Sequence, residues 1–169
     1  MERTCLIFLF FLLFTTNICS QTCIEARYLK EVGVKELTGN NDGKKVEEYL
    51  KSTGLGKGYS WCAAFVKWVL NQCGVVTSIT AWSPTAHNPN NIVYFHTELK
   101  KQPKPGDVFC LYSVSKKRIA HTGFFHRLNG NIITTVEGNT NDGGSFNGDG
   151  VYMRKRPLKT IYSITRWTE

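Results

Sequence analysis

Three stretches of the sequence contain residues that together could cleave an amide bond. Cys62 lies in "KGYSWCAAFVKWVL", just after a glycine-rich turn and in the predicted first turn of an apolar helix. His121 lies in the predicted strand "RIAHTGFF", and both Glu137 and Asn139 lie in "VEGN" at the end of the next strand. A thiol, an imidazole and a carboxylate or amide are the nucleophile, the base and the group that orients the base in a cysteine hydrolase.

The position of Cys62 favours an ionised thiol. Ser60 is the predicted N-cap of the helix, so that Cys62 follows the cap by two positions. The unpaired backbone N–H groups and the helix dipole at this end stabilise a thiolate and lower the pKa of the cysteine. The backbone N–H of Cys62 has no acceptor within the helix, and it is therefore available to an oxyanion. Each residue alone has a structural explanation, and only the ordered set indicates catalysis.

The elements that would position these residues change from helix to strand along the chain. Apolar residues at helical spacing predict three helices, at 24–33, 44–54 and 61–73. We expect Thr22 to cap the first helix and Gly74 to end the third, and we interpret 75–105 as irregular. Five runs rich in β-branched and aromatic residues predict strands: "GDVFCLY", "RIAHTGFFHRL", "NIITTVEGN", "GVYMRKR" and "TIYSITRW". Helices followed by antiparallel strands predict an α+β domain.

The N-terminal segment has the pattern of an export signal. "MERTC" contains one arginine, "LIFLFFLLF" is entirely apolar, and "TTNICSQ" is small and polar. The apolar run is too short to span a bilayer, which takes roughly 20 residues. This order of segments is typical of a secretory signal peptide, and a retained anchor is the alternative. We expect cleavage after Ser20, or after Cys19 as a second choice, which leaves residues 21–169 as a single exported domain without stable membrane insertion.

Removal of residues 1–20 would leave four cysteines. The sequence contains no C-x-x-C pair, so no structural zinc site is expected. Cys62 and Cys73 would lie about 16 Å apart on one helix, beyond the limit of roughly 7 Å for a disulfide. Cys23 could pair with either Cys73 or Cys110, and the sequence does not decide between them.

The charge of the chain is compatible with two interpretations. The net charge of +8 survives signal removal, because Glu2 and Arg3 cancel. A basic exported protein can bind an anionic polymer such as a cell wall, or it can simply have a basic soluble surface. The positive residues are scattered, and we predict no nucleic-acid partner. "GNNDG" and "NTNDGGSFNGDG" are interpreted as glycine-rich turns rather than calcium sites, and no metal or cofactor is expected.

The ordered set resembles the CHAP family, the papain-like cysteine hydrolases that cut bacterial cell-wall peptidoglycan. The matching pieces, in family order, are "YSWCAAFVKWVL", "KPGDVFCLY", "RIAHTGFF" and "TVEGNTND". The resemblance implies N-terminal helices packed on a five- to six-stranded antiparallel sheet. By position it implies Cys62 as nucleophile, His121 as base and Glu137 as the orienting acid. It further implies Asn139 as a fourth polar residue of the site and Tyr59 as a second oxyanion donor.

The function implied by the resemblance is that of a secreted, monomeric peptidoglycan hydrolase that works through a thioester. The N-acetylmuramoyl-L-alanine amide is the slightly favoured bond, and a peptide bond in the stem or cross-link is the other choice. Two alternatives from other classes remain. The domain could be a catalytically silent wall-binding module, or it could be a secreted cysteine peptidase directed at proteins.

Strand register sets a condition on the predicted triad. If "LNGN" closes a two-residue hairpin on 129–130, His121 faces Gly138 and Glu137 lies on the opposite side of the sheet. The triad therefore requires either a three-residue loop or one β-bulge between His121 and Glu137. We predict such an irregularity, because a regular ladder would exclude Glu137.

Overall fold

The computed structural model describes residues 20–141 and 148–169. The predicted signal peptide lies outside these residues except for Ser20, and so does the middle of "NTNDGGSFNGDG". Neither prediction is therefore tested by the structure. Within the described ranges, no helix is both long enough and apolar enough to cross a membrane.

The described part of the chain contains three α-helices, as predicted. They are α1 at 20–31, α2 at Lys44–Lys51 and α3 at Cys62–Gln72. α3 is buried nearly all round, as its apolar sequence predicts, and the ring of Tyr49 on α2 packs against Phe65 and Trp68 of α3 at centroid distances of 5.3 and 5.1 Å. Aromatic contacts of this kind fix the angle between the two helices.

Two of the predicted helix caps are wrong. Thr22 lies inside α1, because the helix already includes residue 20. Ser60 is not the N-cap of α3, since that position is occupied by Trp61, whose carbonyl accepts the first helical hydrogen bond from Phe65 at 2.8 Å. No side chain caps this helix end. Its start is fixed instead by the tertiary packing of Trp61.

The described strands form a seven-stranded antiparallel sheet rather than the predicted five to six strands. In chain order they are β1 (Ile92–Phe95), β2 (Glu98–Leu99), β3 (Val108–Ser113), β4 (Arg118–Asn129), β5 (Ile132–Thr140), β6 (Gly150–Pro157) and β7 (Ser163–Thr165). Their order across the sheet is β2-β1-β7-β3-β4-β5-β6. The α+β prediction is confirmed. The segment 75–105 is not irregular throughout, because it contains β1, β2 and a 3-10 helix at Ser83–Ala86, all too short to give a periodic pattern.

Side-chain alternation along β3 separates two apolar clusters. Val108 and Cys110 belong to the cluster that includes residues of all three helices. Phe109 and Leu111 belong to a second cluster, which contains no residue of the helices. Neighbouring side chains on a strand point to opposite faces. The helices therefore cover one face of the sheet, and the second cluster covers the other.

A disulfide joins the first and third helices. Cys23 on α1 is bonded to Cys73, just after α3, with their Cα atoms 5.8 Å apart. The structure thus selects Cys73 rather than Cys110 as the partner of Cys23. Cys110 is a free buried cysteine, and burial raises the pKa of its thiol to about 12.

Removal of this disulfide should lower the free energy of unfolding. We expect the double variant Cys23→Ala/Cys73→Ala to lose about 2–4 kcal/mol, because the bond restrains the unfolded chain. Urea unfolding measures the difference. A reductant should bring the unmodified protein to the stability of the variant and leave the variant unchanged. Equal stability of the oxidised protein and the variant would contradict the pairing.

Candidate active site

The β4–β5 hairpin contains the irregularity that the triad requires. Its two-residue loop is 130–131, one position later than the hairpin considered from the sequence. The register then shifts at His126, which has no partner on β5 and is the extra residue of a β-bulge. The bulge restores the parity that brings His121 and Glu137 to the same side of the sheet. The predicted irregularity is confirmed.

Three of the predicted residues are in direct contact. His121 Nε2 lies 2.8 Å from Glu137 Oε2, and the two side chains are 1% and 0% exposed. His121 also interacts with the Cys62 thiol, and this interaction lowers the pKa of the thiol and raises that of the imidazole. Because Nε2 faces the carboxylate, Nδ1 is the ring nitrogen that remains for the sulfur. The imidazole therefore connects the Cys62 thiol to the Glu137 carboxylate.

The electrostatics of the pair favour charge separation. Burial disfavours the ionised form of Cys62, but hydrogen bonding and charge interaction with His121 outweigh it and lower the pKa of the thiol. Burial likewise disfavours protonation of His121, yet its hydrogen bonds with Cys62 and Glu137 raise the pKa of the imidazole to about 9. A lowered thiol pKa and a raised imidazole pKa together favour a thiolate–imidazolium pair near neutral pH.

The carboxylate of Glu137 is held by more than His121. Arg156 on β6 donates from Nε to Oε1 and from Nη2 to Oε2, each at 2.6 Å, and the hydroxyl of Thr135 donates to Oε1. Burial opposes ionisation of Glu137, but the bonds from Arg156 and His121 hold the pKa of the carboxyl far below its ordinary value. Glu137 is therefore fixed both in orientation and in charge.

Sequence reasoning missed Arg156 and Thr135. Arg156 lies at the end of the predicted strand "GVYMRKR", and its charge was considered only as part of the net charge of the chain. A cation at alternate positions of a strand can face either water or a buried partner. Glu137 is identified as the partner of Arg156 only when β6 is paired with β5. Glu137 then lies opposite Tyr152, and Arg156, four positions further along β6, is on the same face of the sheet.

Cys62 is positioned by the packing of the residue before it. Trp61 is fully buried, and its Nε1 donates to Glu36 at 2.8 Å. On β5, a Cβ atom at Gly138 would lie 2.6 Å from Cζ3 of Trp61. Only glycine lets α3 approach the strand this closely, one residue after Glu137. Glycine is therefore required at this position of "VEGN" on steric grounds, because a side chain there would keep the helix N-terminus away from the sheet.

Ser83 is a second residue that the sequence did not identify. Its Oγ lies 3.4 Å from the Sγ atom of Cys62, in the first position of the 3-10 helix at Ser83–Ala86. A hydroxyl donor at this place helps to lower the pKa of the Cys62 thiol. The Ser-Pro dipeptide was a signal for the start of a short helix. Nothing in the local sequence related it to Cys62.

The two remaining predicted residues lie at the edge of this cluster. Asn139 is buried, has a left-handed φ of 54°, and its side-chain amide has no hydrogen-bond partner among the described residues. Left-handed backbone at a non-glycine residue is a form of strain that is often found at functional sites. Tyr59 is 56% exposed and lines a cleft that reaches Cys62. The roles of both residues remain predictions.

The cleft beside Cys62 has a volume of about 310 Å³. Its lining combines aromatic, basic and hydroxyl side chains, among them Tyr59, Trp82, Ser83, Lys116 and Arg118. Cys62 itself is only 4% exposed, so that its sulfur is reached through this opening. Neither at this cleft nor in the rest of residues 20–141 and 148–169 is a group of three or more His, Cys, Asp or Glu side chains arranged to hold a metal ion.

The "KPGDVF" motif stabilises the fold rather than the cleft. Asp107 accepts two hydrogen bonds from Arg166, at 2.8 and 3.0 Å, and one from the backbone N–H of Lys104 at 2.8 Å. Gly106 supplies the left-handed φ of 95° that this turn needs. The buried ion pair fastens the start of β3 to the C-terminal segment that follows β7.

The chain belongs to the CHAP domain family, whose model matches residues 54–139, about half of the sequence. Several solved structures are similar to it, including the following three. The P60 domain of an antigen from M. avium paratuberculosis has a TM-score of 0.53 at 12% identity, over 90% of this chain and 96% of that one. A mutated form of the resuscitation promoting factor interacting protein RipA gives 0.49 at 13%, over 90% and 64%.

A hypothetical invasion protein of Mycobacterium tuberculosis gives a TM-score of 0.47 at 14% identity, again over 90% of this chain and 64% of that one. No curated protein matches the sequence. The likeness to the P60 domain shows the fold, and the predicted papain-like α+β architecture is confirmed. The CHAP family, to which the chain belongs, is a family of peptidoglycan hydrolases.

The ion pair of Glu137 with Arg156 should be visible in a double-mutant cycle. Arg156→Gln leaves a buried carboxylate without its guanidinium, and we expect it to lower the free energy of unfolding by about 3–5 kcal/mol. Glu137→Gln/Arg156→Gln removes both charges and should be less destabilised than Arg156→Gln alone. Urea unfolding of the set measures the coupling.

The matched control is Lys155→Gln, at an exposed position of the same strand, where we expect a change within about 0.5 kcal/mol. A double variant as unstable as the sum of the two single variants would mean that the two charges are not coupled.

Proposed function

We propose that this chain is a secreted cysteine hydrolase that cleaves an amide bond of peptidoglycan. Family membership supports the substrate class, and the pattern of residues 1–20 supports export of a single domain at 21–169. The proposal is carried by the buried series of interacting side chains from Cys62 through His121 to Glu137. The Cys62 end of this series lines an open cleft. Such a series serves as nucleophile, general base and orienting acid.

In the first half of the reaction, the Cys62 thiolate attacks the amide carbonyl carbon and forms the C–S bond. The electron pair of the carbonyl moves onto its oxygen, which can accept a hydrogen bond from the backbone N–H of Cys62 in the first turn of α3. Tyr59, on the same cleft, is the proposed second donor. The C–N bond then breaks, the His121 imidazolium gives its proton to the leaving amine, and a thioester remains.

In the second half, His121 takes a proton from water as the water oxygen attacks the thioester carbon. The C–S bond breaks, the acid product leaves, and the thiolate–imidazolium pair is restored. Glu137 holds the ring in the required orientation through Nε2, and Arg156 with Thr135 holds Glu137. Asn139 is proposed as a further polar residue of the site, with its buried amide available to a bound group.

The geometry favours an enzyme over a silent wall-binding module. A binding module needs neither a lowered thiol pKa nor a buried imidazole bonded to a carboxylate, and burying such charged groups without use costs stability. The bond that is cut is proposed to be the N-acetylmuramoyl-L-alanine amide, with a stem or cross-link peptide bond as the other candidate.

Digestion of purified peptidoglycan tests the proposal directly. The mature protein should release fragments, and Cys62→Ala should reduce the rate by about 10³-fold or more, because the nucleophile is removed. Mass spectrometry of the fragments identifies the bond. Free stem peptides with an N-terminal alanine indicate the amidase reaction, whereas shortened peptides still attached to glycan indicate an endopeptidase.

Cys110→Ala is the matched control, since Cys110 is also a buried free thiol, but burial raises the pKa of its thiol instead of lowering it. This variant should retain activity. Undiminished digestion by Cys62→Ala would refute the assignment of Cys62 as the nucleophile. A mature protein that releases nothing from walls of several chemotypes, but degrades unfolded protein, would favour the protein-directed peptidase.

A further inference from the structure

We propose that Lys116 and Arg118 form a carboxylate-binding subsite in the Cys62 cleft, which selects acidic peptide segments next to the cleaved amide. The proposal rests on the proposed function and names the chemistry by which the same cleft would choose its substrate. Both side chains line the cleft that contains Cys62.

The two cations lie at the start of the strand that carries His121 and in the turn just before it. Arg118 begins β4 and pairs with Ser113 on β3, while Lys116 lies in the turn between these strands. The register of β3 with β4 shifts at Ala120, which directly precedes His121. Bulges of this kind redirect neighbouring side chains. The cations are therefore connected to the base by a short stretch of paired strand rather than by a free loop.

Within residues 20–141 and 148–169, the positive charge of this wall has no carboxylate partner. No Asp or Glu is among the described residues that line the cleft, and neither Lys116 nor Arg118 forms an ion pair with a described carboxylate. The guanidinium of Arg118 donates only to the backbone carbonyl of Ile119, at 2.8 Å, among the described groups. By contrast, Arg156 and Arg166 are each paired with a buried acid. A concave site lined by one sign of charge attracts ligands of the opposite sign.

The remaining wall of the cleft fits the apolar part of a short peptide. Tyr59 and Trp82 are 56% and 58% exposed, which is high for residues with large rings. The volume of about 310 Å³ lies at the small end of ligand pockets, which span about 300–1,000 Å³. Guanidinium groups bind carboxylates with two parallel hydrogen bonds. The aromatic wall and the two cations together indicate a short acidic peptide rather than a neutral one.

Such a subsite would act on binding more than on the chemical step. Lys116 and Arg118 would contact a part of the substrate that does not react, so their removal should raise KM and leave kcat nearly unchanged. If the two cations instead served to stabilise the Cys62 thiolate, their removal would lower kcat.

The test uses soluble peptidoglycan fragments in two forms, one with free carboxylates and one with the carboxylates converted to carboxamides by a carbodiimide and ammonia. We expect the mature protein to prefer the carboxylate form by about tenfold or more in kcat/KM, a factor typical of a charge-assisted hydrogen bond. Lys116→Gln and Arg118→Gln should each reduce this preference through KM. Thermal unfolding checks that both variants are folded.

The matched control is Lys155→Gln, which removes one charge from an exposed position on β6, outside the cleft. It should keep the full preference. Equal cleavage of the two forms by the unmodified protein would overturn the subsite and leave the hydrolase intact. If Lys155→Gln lost as much of the preference for the carboxylate form as the cleft variants do, the preference would depend on net charge, and the subsite would also be refuted. Failure to cleave either form would refute the proposed function itself.

Discussion

The site depends on keeping one buried carboxylate ionised. Glu137 is fully buried, and an unpaired charge in such a place would cost several kcal/mol. Its two oxygens are instead bonded by Arg156, Thr135 and His121. The bond with Glu137 also fixes the imidazole, whose pKa rises to about 9 through its interactions with Cys62 and Glu137 in spite of burial. The charge on Cys62 is thereby linked to an ion pair that lies on the far side of the histidine.

The backbone around this ion pair is irregular where the side chains require it. A bulge at His126 sets the parity of β4 and β5, and a shift between Glu137 and Thr140 interrupts the pairing of β5 with β6. Gly138 lies in that interruption and admits the indole of Trp61. The helix that carries the thiol and the sheet that carries the base therefore meet at a place where the ladder is broken. Bulges are common next to active sites for this reason.

The sequence was sufficient for groups whose role is set by local position. Cys62 at a helix start and His121 within a strand follow from periodicity, and the bulge follows from counting residues between His121 and Glu137. Ser83 and Arg156 could not be found in this way, because their contacts join segments that are far apart in the chain. The N-cap of α3 was wrong for a related reason: the burial of the Trp61 indole, a tertiary effect, replaced the side-chain cap that Ser60 would have supplied.

The central claim is that His121 holds Cys62 as a thiolate, and the pH dependence of alkylation by iodoacetamide tests it most directly. The lowered pKa of Cys62 predicts that alkylation of this residue, followed by mass spectrometry, rises at a pH below the ordinary thiol value of about 8.5. In His121→Ala the Ser83 hydroxyl remains, but the imidazole no longer offsets the effect of burial, and the rise should move to higher pH. Cys110, with a pKa raised to about 12, should stay unmodified throughout. An ordinary or raised alkylation pKa that does not change in His121→Ala would contradict the account.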